Sequence, residues 1–112
     1  MADAASSDSF VVILVTVPDP DCGERIARAL LDGRLAACVN RVGPIRSLYR
    51  WEGRVESAEE HLLVIKTRRA LCGRVESAVA ALHPHQVPEV VALPLAAGAR
   101  RYLDWLAAET AT

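Results

Sequence analysis

Apolar positions along the chain keep two different rhythms, and the switches between them mark the elements. Phe10 to Val17 is a continuous β-rich run, the pattern of a strand buried on both faces. Pro18-Asp19-Pro20-Asp21 interrupts it. Asp19 or Asp21 can cap a helix, Pro20 suits the first turn, and Glu24 falls three residues after Asp21. Ile26, Ala27, Leu30 and Leu31 then form a helical stripe, with Gly33 placed for a left-handed C-terminal residue.

A second strand is expected from about residue 35 to 52, broken at Gly43-Pro44. Trp51-Glu52-Gly53-Arg54 reads as a hairpin tip leading into a third strand that ends near Thr67. Leu71, Val75, Ala78, Val79 and Leu82 give a second helical stripe, entered at or just after Thr67. Pro84 stops it, because the residue before a proline is pushed out of the α region. Glu89 to Leu95 predicts a fourth strand, and residues 99–108 a closing helix with Tyr102, Leu103, Trp105 and Leu106. The order βαββαβ plus a terminal helix is the ferredoxin-like α+β plan, with an antiparallel sheet. One domain is expected over residues 10–112, behind a flexible stretch at 1–9.

That plan has a quaternary consequence. Both helices lie on one face of the sheet, so the other face should alternate polar with apolar. Here the strand segments around Phe10 to Val15, Leu62 to Ile65 and Val90 to Leu93 are apolar at both parities. The short terminal helix can cover only part of such a face, and a large apolar patch is rarely left wet on a monomer. Self-association is the economical solution.

Composition narrows the partners. A chain of 112 residues can bury a core without disulfides or a metal staple. A formal net charge of −1 supplies no basic field for nucleic acid or an anionic membrane. Residues 1–9 carry Asp3 and Asp8 and no basic residue, which is wrong for a secretory leader, and the run at Phe10 to Val17 is too short to span a bilayer. Cys22, Cys38 and Cys72 are odd in number, with no spacing that suggests a disulfide framework or zinc site, so reduced thiols in the cytoplasm are expected. Cys38 reads as a small buried hydrophobe. Cys22, at a helix start, is the thiol whose pKa a helix N-terminus would lower.

Other uses of the plan fail on named features. An RNA-binding domain needs stacking aromatics on its inner strands, and residues 54–67 have none. A copper chaperone would carry a Cys-x-x-Cys pair after the first strand, where only Cys22 stands. An acyl-phosphate hydrolase would need a glycine-rich anion cradle there, but Pro18-Asp19-Pro20-Asp21 is acidic. No catalytic constellation emerges, and Glu59-Glu60 reads as a solvated strand end. The chain is expected not to be an enzyme.

The residues in order resemble the CutA family of divalent cation tolerance proteins, from Val11 to Leu106. The resemblance rests on Thr16-Val-Pro18-Asp19, Leu35-Ala-Ala-Cys38-Val39-Asn40, Ser47-Leu-Tyr49-Arg-Trp51-Glu-Gly53, Ile65-Lys66-Thr67, His83-Pro84, Pro88-Glu89, Leu93-Pro94 and Tyr102-Leu103-x-Trp105. It implies a ferredoxin-like protomer in a tight homotrimer with its sheets facing inward, linked to tolerance of copper and other divalent metals. It also implies a fold similar to that of PII signalling proteins.

In metal-binding relatives a cysteine at the end of the first strand and two adjacent histidines before the proline resemble a ligand set. The matching positions here are Val15, Leu82 and His83, so two of the three are absent. His83, His85 and Glu89 are left as candidate metal ligands, since imidazole and carboxylate suit copper or zinc. The competing reading, in which His83 and Glu89 hydrogen-bond within a subunit cleft, is preferred, because two histidines and a carboxylate among prolines do not set a metal geometry. Weak binding of copper or another divalent ion, with no required cofactor, is the expectation.

In relatives, positions like Tyr49, Trp51, Lys66, His83, Glu89 and Trp105 surround a cleft between subunits. The alternative function is therefore a PII-like sensor of a small molecule or anion there, an analogy of fold. Against it, Tyr49, Trp51 and Trp105 read as interface anchors, with Lys66 paired to a carboxylate such as Glu89.

Overall fold

The computed structural model describes residues 2–3 and 9–111. Its elements are β1 (Ala2–Asp3), β2 (Phe10–Val17), α1 (Pro20–Asp32), β3 (Cys38–Trp51), β4 (Arg54–Arg68), a 3-10 turn at Arg69–Leu71, α2 (Cys72–Leu82), β5 (Val91–Pro94), β6 (Ala97–Gly98) and α3 (Arg100–Glu109). The main sheet has strand order β3-β4-β2-β5 with every pair antiparallel, and β1 pairs with β6 in a small second sheet. This is the ferredoxin-like α+β arrangement with a C-terminal helix. Most of the stretch expected to be flexible, residues 1–9, lies outside the described residues, but Ala2–Asp3 is a paired strand rather than a free end.

Side-chain parity on β2 and β4 builds the core. Val11, Ile13, Val15 and Val17, with Leu63 and Ile65, are buried against Ile26 and Leu30 of α1 and Val75 and Val79 of α2. The opposite parity carries Val12, Leu14, Leu62 and Val64. The strand register continues that row through Val91, paired with Leu14, and Leu93, paired with Val12. Val91 is 48% and Leu93 53% exposed. The second face is thus apolar and open. α3 covers one end of it, where Leu103 and Leu106 pack on Phe10. A polar latch fixes that helix: Arg34 Nη2 donates to Ala108 O at 2.8 Å, and Ala111 N–H to Arg34 O at 2.7 Å.

Local chemistry explains the helix ends. Asp19, not Asp21, is the cap of α1, its Oδ1 accepting from Cys22 N–H at 2.8 Å with Pro20 in the first turn. At the other end the left-handed residue is Arg34 (φ 57°), while Gly33 has φ −81°. Leu35 N–H bonds Leu30 O and Arg34 N–H bonds Leu31 O, the paired 6→1 and 5→2 closure that defines a Schellman end. Glycine lowers the cost of a positive φ, but the latch to α3 holds Arg34 there.

β3 runs through Gly43-Pro44 instead of breaking, absorbing it as a register shift between Val42 and Ile45. A Cβ at Gly43 would run into the His61 ring, so glycine lets that buried histidine sit against the backbone. Past the pairing of Val17 with His61, β3 and β4 bond only to each other and project as a two-stranded arm. Glu52 (φ 50°) and Gly53 (φ 80°) form its tip, both with the positive φ that a type I′ turn requires.

Candidate functional site

A groove of about 790 Å³ lies where the arm leaves the body. One wall is the β3 segment carrying Arg46, Tyr49 and Trp51. The other is the turn after α2, with His85, Gln86 and Glu89, and Glu60 and Thr16 form the base. Pro84 and Pro88 stiffen the turn, and a side chain anchors it. His83 is 8% exposed; its Nδ1 accepts from His85 N–H at 3.1 Å, which leaves the ring proton on Nε2, donating to Thr16 O at 2.7 Å. The His83 and His85 rings also meet, with centroids 4.7 Å apart.

These contacts decide what His83 can do. Nε2 carries the proton and the Nδ1 lone pair already accepts a hydrogen bond, so neither nitrogen is free for a metal. Among the described residues no three His, Cys, Asp or Glu side chains converge as a ligand cage. The donor set does not fit a resident metal ion. His85 and Glu89 both line the groove and are exposed, and His83 belongs to its scaffold.

The other cleft residues separate into two groups. Tyr49 and Trp51 share the groove with Glu89. Lys66 is opposite Cys38 on β3, whereas Trp51 is opposite Arg54 twelve positions away on β4. At about 3.3 Å per residue that is roughly 40 Å, most of the molecule's long dimension of 44 Å. Lys66 Nζ donates to Asn40 Oδ1. Trp105 stacks on Tyr102 on α3, centroids 5.6 Å apart. Within one protomer Lys66 therefore neither pairs with Glu89 nor shares a pocket with Trp51.

Two thiols and one carboxylate differ from expectation. Cys22 is buried, and burial first, then the neighbouring Asp19 carboxylate, pushes its thiol pKa up, overriding the helix N-terminus. Burial also raises Cys72. Cys38 is only half-buried. Its proximity adds to the burial that raises the Tyr102 hydroxyl. Glu60, read as a solvated strand end, is 6% exposed, while Glu59 beside it is exposed. Glu60 precedes Leu62 and Val64 at spacing two and so shares their sheet face, but its burial comes from the base of the arm. His61 carries no sequence signal of its own. It sits buried beside Gly43, with Arg41 Nη1 donating to its Nδ1 at 3.1 Å.

The fold is that of a ferredoxin-like α+β protein with an open sheet face and an extended arm. Residues 11–109 match the family model described as CutA1 divalent ion tolerance protein, and the chain belongs to that family. It is 50% identical over 99 residues to the divalent-cation tolerance protein CutA of Thermus thermophilus, covering 88% of this chain and 96% of that one. It is 43% identical over 106 residues to the chloroplastic CutA of Arabidopsis thaliana, covering 95% of this chain but only 58% of that longer protein. The crystal structure of CutA1 from Oryza sativa superposes with a TM-score of 0.90 at 44% identity, covering 93% of this chain and 95% of the other.

Proposed function

We propose that the chain acts in divalent-cation tolerance as a cytoplasmic homotrimer without catalytic activity, requiring no cofactor and meeting copper or another divalent ion only weakly. The observation that carries the reading is the open sheet face of Val12, Leu14, Leu62, Val64, Val91 and Leu93. A contiguous apolar face of this kind is characteristic of an interface. The arm adds to it, since a lone two-stranded ribbon is marginal in water and this one exposes Leu48 and Val55. Closure around a threefold axis would cover three such faces at once.

The names of the relatives support a part in tolerance of divalent ions. On this chain, ion contact falls to the exposed His85 imidazole and Glu89 carboxylate, with solvent completing the coordination, which is why it is weak. The cytoplasmic reading draws on three free cysteines. No helix among the described residues is long and apolar enough to cross a membrane.

Light scattering coupled to size exclusion tests assembly: a mass three times that of the chain is expected, and a well-behaved monomer at micromolar concentration refutes it. Copper(II) calorimetry tests the ion contact. Weak binding lost in His85→Ala is expected; stoichiometric submicromolar binding that survives this change would place the ion elsewhere, with the thiols next in line.

A further inference from the structure

We propose that the groove at the base of the arm binds an organic cation, an ammonium group on a small metabolite. Glu60 carries this inference. It lines the groove at 6% exposure, yet among the described residues no donor or cationic side chain is bonded to its carboxylate. Every fully sealed polar side-chain atom among those residues has a hydrogen-bond partner. The Glu60 oxygens therefore keep their small remaining exposure, and the space they meet is the groove. An anion withdrawn from water without a partner is costly, and a ligand that brings positive charge removes that cost.

The surroundings select the kind of cation. A dehydrated metal ion needs several ligands within one small sphere, and the described residues offer no such cluster. A groove of about 790 Å³ matches small-molecule sites instead. Tyr49 and Trp51 present aromatic surface to it, and an ammonium between ring faces and carboxylates gains from both. Glu89 supplies a second carboxylate. Arg46 is the one Lys or Arg among the lining residues, a single guanidinium against two carboxylates, and its Nη1 already donates to Ser57 Oγ at 2.6 Å. The balance of charge therefore favours a cation over an anion.

The walls are also preorganised. The turn at Glu52 and Gly53 fixes the strand that carries Trp51, and the His83 bond to Thr16 O holds the turn that carries His85 and Glu89. Little ordering cost is left for a ligand to bear.

The test is calorimetric titration of the assembled native protein with choline and with 1,4-diaminobutane. Controls are 3,3-dimethylbutan-1-ol, the uncharged isostere of choline, and pivalate, an anion of similar shape. EDTA in every buffer keeps metal binding out of the measurement, so failure here leaves the divalent-ion reading untouched. Saturable binding of either ammonium is expected, with the neutral isostere and the anion weaker by about tenfold or more. Glu60→Gln, which preserves shape, should weaken ammonium binding by a similar factor with an unchanged circular dichroism spectrum. Trp51→Phe keeps a ring face and should bind better than Trp51→Ala. The proposal is overturned if neither ammonium binds, if the neutral isostere binds equally well, or if Glu60→Gln binds as the native protein does.

Discussion

His83 completes the sheet for Thr16: its Nε2–H donates to the Thr16 carbonyl at 2.7 Å. β5 pairs with β2 only as far as Leu14 opposite Val91, so beyond that point the ring takes the place of the next strand. A backbone N–H two residues later, on His85, binds the other nitrogen. One imidazole thus ties strand, helix end and turn together, and a proton or metal on Nδ1 would break that closure.

His83→Ala should accordingly cost stability, about 1–3 kcal/mol from the orphaned carbonyl and N–H. Urea denaturation measures it, and copper calorimetry on the same variant should remain weak and little changed. Unaltered stability with complete loss of copper binding would return His83 to the role of ligand.

The open face yields a second expectation. Val64 is half-buried and Val91 half-exposed on that face, one paired with Leu14 on each side of β2. Val64→Asp or Val91→Asp should dissociate the assembly, since a buried unpaired carboxylate costs several kcal/mol. Light scattering gives the mass directly. A mass unchanged from the native protein in both variants would show that another surface makes the interface.

Much of the fold was legible because its signals are local and repeated. The strand run at Phe10 to Val17, the stripe through Ile26 and Leu30, and the tip at Glu52-Gly53 each declare themselves within a few residues. What was not legible depends on contacts between distant segments. Arg34, not Gly33, takes the left-handed position because α3 latches onto it. The β1–β6 pair is two residues long and has no period to read. Gly43 is needed because of the His61 ring, eighteen residues on. At the site, Tyr49, Trp51, His85 and Glu89 line one groove, while Lys66 and Trp105 are not among its lining residues. Glu60 was misjudged because its burial comes from the geometry of the arm base, which neighbours in sequence do not encode.

Cys22 gives a pH dependence. Burial raises its folded-state pKa above the unfolded value of ~8.5, so the folded protein holds the proton more tightly. The unfolded chain then loses the proton first as pH rises, and stability falls with pH above that point. Below it the contribution is fully present. Urea midpoints should decline from pH 8 towards pH 10.5, and the decline should be shallower in Cys22→Ala. At pH 7.5 a thiol reagent should leave Cys22 unmodified in the folded protein while reacting on unfolding. Rapid labelling of native Cys22 would contradict the burial argument.

Trp51 and Lys66 pose the sharpest test of assembly, because the resemblance to family members groups them while the protomer holds them roughly 40 Å apart along β4. Substitutions this distant in one chain should add without coupling. In a ring of protomers, though, the arm of one copy can reach the far end of the next, and a head-to-tail contact would bring the two residues together. Trp51→Ala, Lys66→Ala and the double variant therefore form a cycle read as the free energy of dissociation of the proposed trimer in denaturant. Coupling of more than about 0.5 kcal/mol is expected if the contact forms between copies, as distant sites within one chain seldom exceed that. Mixed trimers sharpen it further: when each protomer carries one substitution or the other, a ring must contain a junction that lacks both side chains and one that retains both. Strict additivity in dissociation energy would mean that Trp51 serves only the groove of its own protomer and that Lys66 serves only Asn40.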